Sequence, residues 1–365
     1  MSKFYQPTKL LIGSSILNAI PDVLREYGKR VLMVSTNDAP LQPLYDLIHK
    51  LLEGFEVTHF TGVVPNPTVE SVDACLDMNI EFDVILAVGG GSSIDTAKAI
   101  NLKSHYRDES WESLFKRFDS FTKEYKEKFY PLVSVPTTSG TGSQVTQAAV
   151  LSMGVDKLTL YHTGLLSDVA ILDPNLTTTL PKRLTAATAF DTFTHAFESY
   201  LSDKANALTK LDSLNAMKIV VDTLPKVLED PKNVSYREQL MVADTLGGRS
   251  LSNAGAHAPH PLSEIIGGLA NAMHGEALAS VYPAFIKLGK DRFKTEFEYL
   301  SEVLFKGEDL YTSIVSFLTS ISLDISVSDL VQSEEMFQTI KSHPVWDFLP
   351  FGDRAFFEAI LDEAY

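Results

Sequence analysis

Only one cysteine, Cys75, stands in the 365 residues, which excludes an internal disulfide and suits a reducing, cytoplasmic setting. No uninterrupted apolar run approaches the roughly 18–20 residues that cross a bilayer. The opening "MSKFYQPTKLLIG" carries no apolar stretch of the secretory-signal kind, so the triplets at Asn175 and Asn233 read as chance glycosylation matches. Basic residues are scarce: 31 Lys and Arg face 47 Asp and Glu, for a formal net charge of −16. That excludes a nucleic-acid backbone or an anionic membrane as the expected partner. There is no internal repeat and no low-complexity segment. What is present is 45% hydrophobic residues in a chain long enough for two domains.

The two halves are patterned differently. Up to about residue 180, short apolar runs alternate with helical patterns. "TKLLIG" leads to "SSILNAIPDVLREYG", with Ser14 or Ser15 as the expected N-cap and Gly28 as the stop. "RVLMVS", "FEVTHF" and "FDVILAV" follow as strands, with helices predicted in "LQPLYDLIHKLLEG" and "PNPTVESVDACLDM". Strand alternating with helix predicts an α/β domain with a parallel sheet covered on both faces. Beyond residue 180, "PKRLTAATAFDTFTHAFESYLS", "ALTKLDSLNAMKIVVDTLPKVLED", "HGEALASVYPAFIKL" and "FKTEFEYLSEVLF" all repeat at helical period. The expectation is an α/β domain over 1–180 and an all-helical domain over 181–365, with ligands bound between them.

"VGGGSSIDTAKA", residues 88–99, ends a buried strand and opens a helix. In open α/β sheets that junction is the ligand crevice, and a helix N-terminus offers free N–H groups to an anion. Its spacing matches neither G-x-G-x-x-G nor a P-loop. A second stretch, "LVSVPTTSGTGSQVTQ", also follows an apolar strand and sets five hydroxyls, from Thr137 to Ser143, around Gly140 and Gly142. The pair of loops fits a dinucleotide, one on the pyrophosphate and one against adenine and ribose.

Four of the nine histidines fall between 195 and 274. Asp191 and His195 stand four apart, which puts them one turn apart on one helical face. "GAHAPHPL" adds His257 and His260, and "AMHGEALA" adds His274. One Asp with two or three His is a donor set for Zn²⁺ or Fe²⁺ with a position left open for substrate. His49, His59, His105, His162 and His343 read as ordinary surface or core residues.

Together "PNPT", "GGGSSIDTAKA", "PTTSGTGSQVT", "LDPNLTTTLPKRLTAATAFDTFTHAFESY" and "HAPHPL…MHGEALA" resemble the iron-containing alcohol dehydrogenase family, in the superfamily that also holds glycerol dehydrogenase and dehydroquinate synthase. The resemblance implies NAD or NADP and one divalent metal, Fe²⁺ or Zn²⁺. It implies that Asn66, Gly90, Gly91, Ser92 and Asp95 face the pyrophosphate and nicotinamide ribose. Thr137, Thr138, Thr141 and Ser143 would line the adenine side, with Lys157 reaching the ribose. Asp191, His195 and His274 match metal-ligand positions, and Asp95 and His260 match residues of the catalytic centre.

The sequence departs from the family at three places. The usual H-x-x-x-H-P would put a ligand at 256, which is Ala256. His257, seventeen residues before His274, is therefore the expected fourth ligand and His260 the proton relay; the spacing leaves an exchange of those roles open. Gln144 stands where the family has Glu. After "RVLMV" come Ser35, Thr36 and Asn37, with Asp38 two residues late for the aspartate of NAD-preferring relatives, so NAD and NADP both stay open.

The implied activity is hydride transfer between NAD(P) and a small alcohol or aldehyde by a cytoplasmic homo-oligomer, such as a dimer. The alternatives are a dehydroquinate synthase-like lyase and a non-catalytic binding protein. A lyase needs a dense basic cluster for a phosphorylated substrate, and only Lys182, Arg183 and Arg249 lie near the motifs.

Overall fold

Every residue of Val84–Gly89 and of Leu132–Pro136 is buried, as the unbroken apolar runs of central parallel strands require. The computed structural model describes residues 3–123, 125, 127–154, 156–347, 349 and 352–365. Phe4–Thr179 and Leu180–Tyr365 form two compact units, Lys3 joining the second.

In the first unit the strands are β1 (Lys9–Ile12), β2 (Arg30–Thr36), β3 (Glu56–Val63), β4 (Val84–Gly89), β5 (Leu132–Pro136), β6 (Ala148–Met153), β7 (Asp156–Tyr161) and β8 (Val169–Leu172). Six of them pair in parallel in the order β1-β8-β5-β4-β2-β3. The chain runs outward from β2 to β3, then returns to place β4 on the other side of β2. The order therefore reverses between β2 and β4, which is where such sheets bind ligands. Helices α1 (Ile20–Arg25), α2 (Gln42–Leu51), α3 (Val69–Leu76), α4 (Gly91–His105) and α5 (Trp111–Arg117) complete this unit.

One local expectation is revised, and one element is new. Neither Ser14 nor Ser15 caps the first helix: α1 starts later, and the Ile16 amide instead donates to Asp173 Oδ2 at 3.0 Å from beyond β8. The antiparallel ribbon of β6 and β7 goes unmarked in the sequence reading, although it presents Lys157 opposite Ser152.

The described elements of the second unit are all helical: α6 (Lys182–Leu201), α7 (Ala207–Glu229), α8 (Val234–Ala254), α9 (Pro259–Ala270), α10 (His274–Gly289), α11 (Lys294–Phe305), α12 (Leu310–Ser320), α13 (Val327–Leu330), α14 (Glu334–Lys341) and α15 (Arg354–Ala364). From Thr185 onward α6 is buried on nearly every side, which makes it the axis of the unit rather than a surface helix. Phe190, Phe193 and Phe197 pack against Tyr282 of α10 with ring centroids 5.4–6.4 Å apart. The polar residues of α6 are therefore forced inward too, and each must find a partner.

Phe193 touches rings on both sides, including Phe317 at 6.0 Å. Phe193→Ala is expected to cost about 3–5 kcal/mol of unfolding free energy, measured by urea unfolding followed by circular dichroism. A loss below about 1 kcal/mol, the scale of an ordinary surface change, would show that α6 is not the packing axis.

Candidate functional site

The first cluster lies at the carboxyl ends of β4 and β5. Gly89 closes β4 with φ +146°, Gly90 occupies the N-cap of α4 without a side-chain cap, and the first turn leaves amides free for an anion. The glycines have a second reason. A Cβ on Gly91 would lie 2.6 Å from Thr141 Cγ2, and one on Gly90 would lie 3.1 Å from Thr138 Oγ1. The Thr137 amide also donates to Gly89 O at 3.0 Å. The two loops are thus one surface, and glycine is what lets them meet.

α4 bolts the hydroxyl loop down. Asp95 accepts from Ser143 Oγ through one carboxylate oxygen and from the Val150 amide, at 3.0 Å, through the other. One turn on, buried Lys98 donates to Thr146 O and Ala148 O, both at 2.8 Å. Burial raises Asp95 above the ordinary carboxylate range and lowers Lys98 to about 8. Asn66, at φ 52° before α3, accepts from Lys157 Nζ at 2.9 Å, so these two candidates meet each other. Ser92 sits in the first turn of α4.

At the other side of the order reversal, Thr36 Oγ1 donates to Asp38 Oδ2 at 2.8 Å and lies 3.2 Å from Tyr45 OH. His49 and His59, read as ordinary, are a bonded pair there. His59 has Nδ1 3.0 Å from His49 Nε2 and Nε2 2.7 Å from Ser35 Oγ. Burial and the neighbouring His49 lower His59 to about 4. His162 is also more than a core residue of no note: it stacks on Tyr125 with centroids 4.5 Å apart. Ten residues separate His49 from His59, on a helix and a strand, so no sequence periodicity links them.

The second cluster is built on α6. Asp191 and His195 lie one turn apart on it, α9 brings His260 and α10 opens at His274. Asp191 Oδ1 lies 3.5 Å from His195 Nε2, 3.5 Å from His274 Nε2 and 3.6 Å from His260 Nε2. Three imidazole nitrogens thus surround one carboxylate oxygen. Donors each about 2.1 Å from a tetrahedral ion lie about 3.4 Å apart, which is close to this spacing. Asp191 Oδ1 and His260 Nε2 are buried with no hydrogen-bond partner among the described residues, a state natural to ligand atoms and costly otherwise. The residues therefore fit a metal ion.

The remaining ring nitrogens are held from behind. His260 Nδ1 is 2.8 Å from Glu198 Oε1, and His274 Nδ1 is 3.3 Å from Ser263 Oγ. Burial would raise Asp191, yet His195, His274 and His260 bring it down to about 2. Burial would likewise lower His260, but Glu198 and Asp191 raise it to about 10. Glu198 itself, fully buried, is raised by burial.

His257 does not join this group. Its ring packs 5.1 Å from Phe293 and 6.1 Å from Phe285, and burial lowers it to about 4. His257 and His260 do not share a helix: α9 begins at Pro259, so His257 lies on the preceding irregular segment. Glu198 was missed from the sequence. It stands three residues beyond His195 and seven beyond Asp191, the same helical face, and that periodicity could have flagged it.

α10 reaches α6 because of one missing Cβ. On Gly275 it would lie 2.1 Å from the carbonyl oxygen of Ala187, one turn before Asp191. The bidentate pair of Arg183 with buried Glu276 ties the same two helix ends together, Nη2 to Oε2 at 2.8 Å.

Residues 7–174 match the family description "Iron-containing alcohol dehydrogenase", and residues 185–354 match its C-terminal counterpart, "Fe-containing alcohol dehydrogenase family, C-terminal". The chain is 34% identical over 269 residues to long-chain-alcohol dehydrogenase 1 of Geobacillus thermodenitrificans, covering 72% of this chain and 67% of that one. The chain belongs to the iron-containing alcohol dehydrogenase family. It is 28% identical to a probable NADH-dependent butanol dehydrogenase 2 of Bacillus subtilis, over 92% of this chain and 90% of that one. The crystal structure of a 1,3-propanediol oxidoreductase superposes with a TM-score of 0.90 at 25% identity, covering 100% of both chains. The protein is an alcohol dehydrogenase, an oxidoreductase acting on CH–OH groups. That sets it apart from the lyase and the non-catalytic binding protein considered above. Two of the basic residues a lyase would enlist are already paired, Arg183 with Glu276 and Arg249 with Asp212 at 3.1 Å. No helix among the described residues is long and apolar enough to cross a membrane.

Gly275→Ala is expected to push α10 off α6 and to destabilise the protein by about 1–3 kcal/mol, as overpacking does. Thermal unfolding measures it. An unchanged midpoint would mean that the close approach at Ala187 is not required.

Proposed function

We propose that this alcohol dehydrogenase uses NAD(H) and one Fe²⁺, held by Asp191, His195, His260 and His274, to interconvert a primary aliphatic alcohol and its aldehyde. The observation that carries the reading is the single oxygen, Asp191 Oδ1, with three imidazole nitrogens 3.5–3.6 Å away. An N₃O donor set suits both Fe²⁺ and Zn²⁺, and the family's name favours iron. When bound, the ion supplies Lewis acidity toward the alcohol or aldehyde oxygen and the nicotinamide exchanges the hydride.

The chain's own residues do the rest. Asp191 contributes the one negative charge of the set, and Glu198 and Ser263 turn the Nε2 atoms of His260 and His274 toward it. With Nδ1 held by Glu198 and Nε2 facing Asp191, His260 takes the part of a ligand and not of the proton relay expected from the sequence. The amides of Gly91 and Ser92 receive the pyrophosphate, with Thr137, Thr138 and Thr141 beside them. Asn66 and Lys157 bond each other and together reach the ribose. Asp95, both of its oxygens already used by Ser143 and Val150, positions the hydroxyl loop and does not touch reacting atoms. Asp38, tethered by Thr36, accepts from ribose hydroxyls and repels a 2′-phosphate, which favours NAD over NADP. The single, buried Cys75 accords with work in the cytoplasm. Small and long-chain alcohols both appear among the names of relatives, so chain length is read from assay.

Metal analysis of purified variants tests the ligand set: His260→Ala should come out depleted of metal and inactive, and His257→Ala should retain it. The reverse result would restore His257 as the ligand. A panel of straight-chain aldehydes with NADH and NADPH, followed at the nicotinamide absorbance band, tests the activity. In the same assay Asp38→Gly should shift the NADPH-to-NADH ratio of kcat/KM upward by about tenfold, the equivalent of roughly 1.4 kcal/mol. No shift would remove Asp38 from cofactor selection.

A further inference from the structure

We propose that Glu198 is a positioning residue for the metal site, one that decides which nitrogen of His260 faces Asp191. The proposal rests on the ligand set above and goes beyond it. Glu198 is fully buried on α6, and both its carboxylate oxygens are committed to the segment that delivers His260. Oε1 lies 2.8 Å from His260 Nδ1, and Oε2 accepts from the backbone amide of His257 at 2.8 Å.

This contact is one rung of a longer ladder. Ser202 Oγ donates to Ala254 O at 2.6 Å and Ser199 Oγ donates to Gly255 O at 3.1 Å. Two side chains on the last turn of α6 and its C-cap Ser202 thus hold residues 254, 255 and 257 in succession. α8 ends at Ala254 and α9 begins at Pro259, so the segment between has no helix of its own to fix it. Its course is written on α6 instead, and it ends with His260 brought beside Asp191 and His195. The two His260–His195 rings stack with centroids 4.5 Å apart.

The chemistry follows from the acceptor. An ionised carboxylate can only accept, so a His260 imidazole that gives up one proton to become a ligand would keep the other on Nδ1, beside Glu198, and present its lone pair at Nε2. Nε2 is the atom that lies 3.6 Å from Asp191 Oδ1. Without Glu198 the ring loses both its tautomer bias and its orientation, and either nitrogen can turn to the site. Carboxylates behind a ligating histidine act in this way generally.

The test uses full-length protein stripped of metal and titrated with Co²⁺ or Zn²⁺. Glu198→Gln, which keeps shape and one acceptor, should weaken metal affinity about 10–100-fold while far-UV circular dichroism and NADH affinity stay unchanged. In a His260→Ala background, Glu198→Gln should add no further loss, because its partner is gone. Wild-type affinity in Glu198→Gln, or a loss fully additive with His260→Ala, overturns the proposal. Nitrogen-15 NMR of histidine-labelled, Zn²⁺-loaded wild-type protein decides it independently of any variant's folding. His260, identified by the signal missing in His260→Ala, should be protonated at Nδ1 and ligated at Nε2; ligation at Nδ1 overturns the proposal. Metal retained by His260→Ala would instead sink the ligand set itself, so the two failures are distinct.

Discussion

The second unit depends on one buried charge. Asp191 lies inside a helix that is covered on nearly every side, where an isolated carboxylate would cost many kcal/mol or take up a proton. Three imidazoles from three helices meet its Oδ1 and hold it ionised. The surrounding architecture follows from that need. α6 is the axis, α9 and α10 must start where they can reach it, and Gly275 and the Arg183–Glu276 pair bring α10 in. A buried polar set that is only partly satisfied is worse than an apolar core, and the unsatisfied atoms here include Asp191 Oδ1 and His260 Nε2 of the candidate metal site.

The first unit solves a different problem, the holding of a polyanion by neutral groups. Its answer is backbone: amides at the start of α4, with a loop of hydroxyls pressed against them. Buried Asp95 and Lys98 both make hydrogen bonds to residues 143–150. The charged pair ties the loop to α4.

Much of this was legible in advance. The strand-helix alternation, the helical second half, the glycine and hydroxyl loops and the Asp191–His195 pair all rest on spacing within one element, where a period of two or of 3.6 maps directly onto a face. Glu198 obeys the same rule and was within reach. His49 and His59 were not, because a strand and a helix brought them together. The hairpin of β6 and β7 escaped because its two short strands, split by Gly154, carry no long apolar run.

What the sequence by itself determined is therefore the set of parts: two domains' worth of elements, two loops after buried strands, and an Asp with four histidines from which a metal site can be drawn. What only the tertiary structure decided is which of His257 and His260 lies beside Asp191 and His195. Both are histidines on one short segment, and counting from His274 favours His257, which the structure places apart from Asp191. The choice was made by where α9 begins, by the side chains of α6 that pin residues 254–257, and by the Phe285 and Phe293 rings that take the His257 imidazole out of the cluster. The hydrogen bonds to residues 254–257 span more than fifty positions and the ring contacts of His257 span 28 and 36, and spacing along a chain carries no information about distances that packing alone sets.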